Sequence, residues 1–110
     1  MSISKNILLS KFALDERTVH LDSIDADVVV RNFTQKESDG FVKASVDGLD
    51  SNGDPIVNID KSINVKYLKV SEALVEPKLT VEELQGMAGA GKFIKEVLEA
   101  IGEGEEGNEN

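Results

Sequence analysis

Few residues in this chain have types and spacings suited to chemistry. The strongest candidate is Gly86-Met87-Ala88-Gly89-Ala90-Gly91-Lys92-Phe93, whose first seven residues match a phosphate-binding loop. Such a loop cradles phosphates with backbone N–H groups, and its eighth residue is a Ser or Thr that ligates magnesium. Phe93 stands at that eighth position. The residues before it read as a capped helix, not as the buried parallel strand such a loop must follow. The segment therefore reads as a glycine hinge between two helices, with a nucleotide-binding enzyme as the rival. His20 is the sole histidine and there is no cysteine, so a His/Cys metal set and a Cys–His nucleophile are excluded. Its expected role is structural, on a strand beside a turn. The acidic stretch Asp47 to Asp54 resembles a calcium loop only superficially. With Gly53 taken as the loop glycine, Gly48 falls where the first Asp belongs and Ile59 where the bidentate Glu belongs. The pairs Glu82/Glu83, Asp15/Glu16 and Asp25/Asp27 follow from acidic composition, and nothing places them in a cleft for acid–base work. Tyr67 and the four phenylalanines are too scattered for a base-stacking platform. No catalytic residue, metal ligand or cofactor-binding residue is assigned; the chain is expected to be non-enzymatic, with no cofactor and no small-molecule ligand.

The elements that would position these residues can be read from periodicity. Asn6 to Leu14 carries Ile7, Leu8 and Phe12 and suggests one or two helical turns. Thr18-Val19-His20-Leu21 alternates as a strand. Ser23-Ile24-Asp25-Ala26 reads as a turn and Asp27 to Phe33 as a second strand, giving an antiparallel hairpin. Thr34 then opens a helix with Glu37 three residues on, the pattern of a capping box. Phe41, Val42, Ser45 and Val46 give this helix an apolar stripe. Gly40 inside it costs up to about 1 kcal/mol relative to Ala, and Asp47-Gly48 is expected to stop it. Asp50 to Pro55 is a loop by composition. Ile56 to Ile59 is ambiguous, with a short extended piece as one option. Asp60 can cap a helix carrying Ile63, Tyr67, Val70 and Leu74 at helical spacing, and Pro77 prevents it from passing Glu76. Thr80 and Glu83 repeat the capping box, with Leu79 and Leu84 able to close a hydrophobic staple. Met87 and Ala88 are expected to continue that helix until the glycines break it. From Lys92 onward Phe93, Ile94, Val97, Leu98 and Ile101 share one face. Burying them contributes on the order of 10 kcal/mol before entropy.

The fold class expected is α+β: a small N-terminal antiparallel β-hairpin or sheet followed by a helical bundle. At 110 residues one domain is the prior, spanning residues 1–101. Residues 102–110, rich in Gly and Glu with no apolar side chain, are expected to be a disordered tail. The net charge of −9 disfavours a nucleic-acid backbone and an anionic membrane surface, so neither nucleic acid nor membrane is an expected partner. No apolar run approaches the roughly 20 residues of a membrane span. The N-terminus lacks the apolar core of a signal peptide, and the absence of cysteine fits a reducing cytosol.

Two segments carry a family resemblance. Val28-Val29-Val30-Arg31-Asn32-Phe33-Thr34-Gln35-Lys36-Glu37 combines a β-branched strand, an Arg, an apolar residue and Thr-x-x-Glu opening a helix. Val75-Glu76-Pro77-Lys78-Leu79-Thr80-Val81-Glu82-Glu83-Leu84 combines a Pro, an apolar residue, a Thr and Glu-Glu-Leu ahead of an amphipathic helix. In order and spacing they resemble the tail assembly chaperones of long-tailed bacteriophages. That resemblance implies a protein of the bacterial host cytoplasm that binds the tape measure protein, a long helical rod. It would hold the rod soluble until tail tube protein polymerises around it, and be absent from the finished virion. Many such chaperones exist in two forms related by a translational frameshift, and this chain looks like the short one.

On this reading Thr34, Glu37, Thr80 and Glu83 are helix-capping residues. Phe93, Ile94, Val97, Leu98 and Ile101 are either a surface for tape measure protein or self-association, or the chain's own core. The alternative function is a small acidic regulator, such as a DNA mimic that blocks a nucleic-acid-binding protein.

Overall fold

The computed structural model describes residues 2–102; the expected acidic tail from residue 103 onward lies outside the described residues. The fold is α+β, and it begins with helix α1 (Lys5–Lys11) and the hairpin of β1 (Glu16–Leu21) and β2 (Ala26–Arg31). The strands pair antiparallel in continuous register, from Glu16 opposite Arg31 to Leu21 opposite Ala26. The intervening turn is closed by Ile24 N–H donating to the Leu21 carbonyl and Asp25 N–H to the Asp22 carbonyl. Asp25 sits at φ 49°, a left-handed conformation that Asp tolerates better than most residues. Alternation places Val28 and Val30 in the core and leaves Val29 half-buried, as a strand with one covered face requires.

Helix α2 (Gln35–Ala44) starts at the expected capping box. It stops three residues before the expected Asp47-Gly48 terminus. The Ser45 backbone N–H and hydroxyl both donate to the Val42 carbonyl, and the chain turns into β3 (Val46–Leu49), which pairs with β4 (Pro55–Val57). Gly48 therefore does not cap a helix: it holds φ 113° inside a strand whose register shifts between Val46 and Leu49. The Asp50 carboxylate ties the turn by accepting from the backbone N–H groups of Asn52 and Asp54.

Helix α3 (Ile59–Ala73) is capped by Asn58, whose Oδ1 accepts from Lys61 N–H at 3.0 Å, and not by Asp60 as expected. Asp60 lies in the first turn, where its charge complements the helix dipole. The helix ends at Ala73, so Leu74 does not continue its stripe. Leu74 opens β5 (Leu74–Glu76), which pairs antiparallel with β2 and puts Leu74 opposite Val30. Sheet order is β1-β2-β5, with β2 central. The second half of the chain is thus not a pure helical bundle, because β5 returns to the N-terminal sheet. Lys78 Nζ caps the exit of α3, donating to the Ser71 and Leu74 carbonyls. Buried Ser71 donates its hydroxyl to the Leu79 carbonyl.

Helix α4 (Val81–Gln85) starts at the second capping box and ends at Gly86, so Met87 and Ala88 lie beyond it. Gly89 takes φ +68°, and the chain re-enters a helix as α5 (Gly91–Ala100). One core joins the sheet to the helices through Leu21, Val28, Val30, Val70, Leu74 and Val97, with Leu84, Phe93 and Ile94 in the same cluster.

Two glycines test this description in opposite directions. A Cβ on Gly40 would meet nothing within 4 Å. Gly40→Ala is expected to raise stability by up to about 1 kcal/mol in urea unfolding. Gly89→Ala should cost about 1–2 kcal/mol, because its left-handed backbone has no comfortable alternative to glycine.

Candidate interaction surface

Arg31, Glu37 and Glu72 form a charged cluster that joins β2, α2 and α3. Arg31 ends β2, and its guanidinium grips Glu37 of α2 at both oxygens, Nη1 to Oε1 and Nη2 to Oε2, each at 2.9 Å. Nη2 also reaches Glu72 Oε1 of α3 at 3.4 Å. Glu37 Oε1 accepts from the Thr34 backbone N–H at 3.0 Å, while Thr34 Oγ1 accepts from Glu37 N–H at 3.1 Å. One carboxylate thus closes the helix cap and binds the arginine. The Arg31 guanidinium, followed by the Thr34 backbone donor, holds the Glu37 carboxyl down at about 2. Arg31 lies over the Phe33 ring at 5.5 Å. Phe33 meets Phe41 edge-on, with ring centroids 4.8 Å apart. This chain of contacts sets α2 alongside α3.

Between those helices lies an open groove of about 330 Å³. Phe41, Val42, Val65 and Leu98 supply its apolar lining, and the charged side chains that line it are Lys66 and Lys69. The Lys69 ammonium stands 5.8 Å from the Phe41 ring centroid. Val42, Leu49, Ile56, Val57, Ile59 and Ile63 are exposed, with Ile59 at 74% and Val57 at 65%. A second apolar surface is α1, none of whose residues is buried. Ile7, Leu8 and Leu9 face solvent, and Phe12 beyond them is 80% exposed.

The face of α5 read as either a partner surface or the chain's own core is turned largely inward. Phe93, Ile94 and Val97 are buried, and Leu98 and Ile101 pack half-buried against the same core. Helix α5 rests on α3 and β1, so of the two readings given for these residues the structure fits the chain's own core. Of the five, Leu98 also lines the groove. Thr80 Oγ1 accepts from Glu83 N–H, and Glu83 Oε1 from Thr80 N–H, which fixes α4 and places Leu84 inside. The glycine-rich segment is a turn between α4 and α5, and Phe93 is packed in the core. His20 Nδ1 lies 2.9 Å from Asp27 Oδ1 across the hairpin, and its Nε2 lies 3.4 Å from Asp25. The Asp27 hydrogen bond raises the His20 pKa. Among the described residues no group of three or more His, Cys, Asp or Glu side chains is arranged to hold a metal ion. No helix among them is long and apolar enough to cross a membrane.

Sequence reasoning had marked Phe41, Val42 and Ser45 as an apolar stripe but missed the groove. Its lysines lie on a helix some twenty residues further along the chain, and no local pattern links the two. No protein-family model, no curated protein and no solved structure matches this chain.

The Glu37 interactions define a pH dependence. A carboxyl held near 2 when folded, against 4.5 for the free group, stabilises the fold fully above the unfolded value. That contribution is lost as pH falls through the window between the two. Glu37→Gln is expected to cost roughly 1–3 kcal/mol at neutral pH. In chemical denaturation the gap from the parent chain should shrink through the acid window and close near its lower end.

Proposed function

We propose that this chain is a tail assembly chaperone of a long-tailed bacteriophage, acting in the cytoplasm of the bacterial host. Its partner would be the tape measure protein, which it keeps soluble until tail tube protein assembles around it. The role is non-catalytic, and the chaperone does not enter the mature virion. The reading rests on the two quoted segments, whose Thr and Glu residues form capping boxes in the described fold.

The observation that carries it is α1. A helix of seven residues with no buried side chain is far shorter than the roughly 12–15 residues at which isolated helices become marginal in water. Yet it presents Ile7, Leu8 and Leu9, with Phe12 at its end. Such an element gains stability when its apolar side meets a partner, and a long amphipathic rod supplies a matching stripe. The overall negative charge would hold the loaded complex in solution.

The experiment is co-expression with a phage tape measure protein, the long helical protein that this reading requires as partner. The long protein should become soluble and co-purify. If it stays insoluble while this chain elutes alone, the reading fails. Replacing Leu8 and Phe12 together by Ser should leave the far-ultraviolet circular dichroism and unfolding midpoint nearly unchanged, because both are exposed. The same change should abolish solubilisation.

A further inference from the structure

We infer that the β1–β2 turn is a pH-sensitive clasp on α5: it holds Glu96 while His20 is an imidazolium and loosens when His20 loses its proton. The inference is independent of the proposed function. It stands on the geometry of one side chain with carboxylates at both ends.

His20 and Asp27 sit directly opposite each other in the hairpin. His20 Nδ1 lies 2.9 Å from Asp27 Oδ1. At the other end of the ring, Nε2 lies 3.4 Å from Asp25 Oδ1 and 3.8 Å from Asp22 Oδ1. A neutral imidazole carries one N–H and one lone pair, so it donates at only one end. The other nitrogen would then turn its lone pair toward a carboxylate. Only the imidazolium donates at both ends, and it also offsets the three aspartates drawn together around the ring. The turn has little slack, with Asp25 already held at φ 49°.

The same turn touches α5. Ser23 donates its backbone N–H to Glu96 Oε1 at 3.0 Å and its hydroxyl to the same oxygen at 2.6 Å. Those bonds hold the Glu96 carboxyl below its ordinary range. Glu96 also feels the charge of Lys92, one turn earlier on α5, and that of His20. Loss of the His20 proton therefore removes an attraction between β1 and α5, and it sets Glu96 against the aspartates of the turn. Further along, Arg17 of β1 donates to the Ala100 carbonyl, so the release is confined to the turn end. Between turn and helix lies an open depression of about 420 Å³, lined by Ser23 and Ile24 on one side and by Met87, Gly89 and Lys92 on the other. Loosening the clasp widens it.

The direction follows from linkage. The Asp27 hydrogen bond raises the His20 pKa from its ordinary 6.5. The clasp is then fully closed below the ordinary imidazole value, and closure is lost as pH rises through the raised one. The His20 side chain is 50% exposed, and exposed ion pairs are individually weak. The effect is therefore local, and the global unfolding midpoint should change little.

The test is nuclear magnetic resonance of the whole chain from about pH 5 to about pH 9, a span that brackets imidazole titration. The His20 ring protons should titrate with a midpoint above 6.5. Protection of the Ser23 amide proton from exchange, relative to an unstructured peptide, should fall severalfold across the same midpoint. His20→Gln should leave circular dichroism unchanged and keep that protection low at every pH. Asp25→Asn retains a residue type that tolerates the left-handed backbone; it should lower the His20 midpoint and shrink the step at Ser23. The proposal is overturned by Ser23 protection that does not change with pH, by a step that survives His20→Gln, or by a His20 midpoint at or below the ordinary value.

Discussion

The fold turns on one guanidinium. Arg31 is the last residue of the central strand, and its side chain is only 19% exposed. A charge in that position needs compensation, and it comes from two different helices, Glu37 on α2 and Glu72 on α3. An arginine suits the task better than a lysine because its planar fork binds one carboxylate at both oxygens and still reaches a second. Its rigidity is transmitted to α2, because Glu37 is also the third residue of the helix and accepts from the Thr34 N–H. Strand end, helix start and the neighbouring helix are thus specified together.

A second constraint closes the sheet. With β1 alone beside it, β2 would be half of an isolated hairpin, which is marginal in water. The three residues of β5 cover its other edge and bring Leu74 into the core opposite Val30. Because β5 follows α3 without a linker, pairing β5 also docks α3. Helices α4 and α5 then complete the core, with Leu84 and Val97 fully inside. In the β3–β4 hairpin Val46 is half-buried, while Leu49, Ile56 and Val57 stay exposed.

What the sequence made legible follows from the range of each interaction. Both capping boxes, the first hairpin and the amphipathic helix from Lys92 rest on contacts within a few residues and are present, though β2 ends at Arg31 and not at Phe33. The misread positions depend on distant partners. Leu74 fits the helical stripe of α3, and only the free edge of β2 makes it a strand residue. Val46 extends the stripe of α2, and only pairing with Val57 turns it into a strand. Asn58 outcompeted Asp60 as the cap, since β4 ends immediately before it. The amphipathic face of α5 was visible, but amphipathicity shows only that a face needs cover and not whether the cover comes from the chain itself. Here α3 and β1 supply it.

The same logic runs forward for the faces left open. A capped helix with half its apolar stripe unused, as in α2, costs nothing to form because Thr34, Glu37 and Arg31 already specify it. Phe41 is committed to the interior through Phe33, whereas Val42, the next residue, points into the groove and solvent. Gly40 precedes them, and the space beside it is empty. A larger residue there would strengthen the helix while narrowing the second depression that Gly40 lines with Leu68 and Glu72. The helix therefore forgoes stability on the side where it stays open.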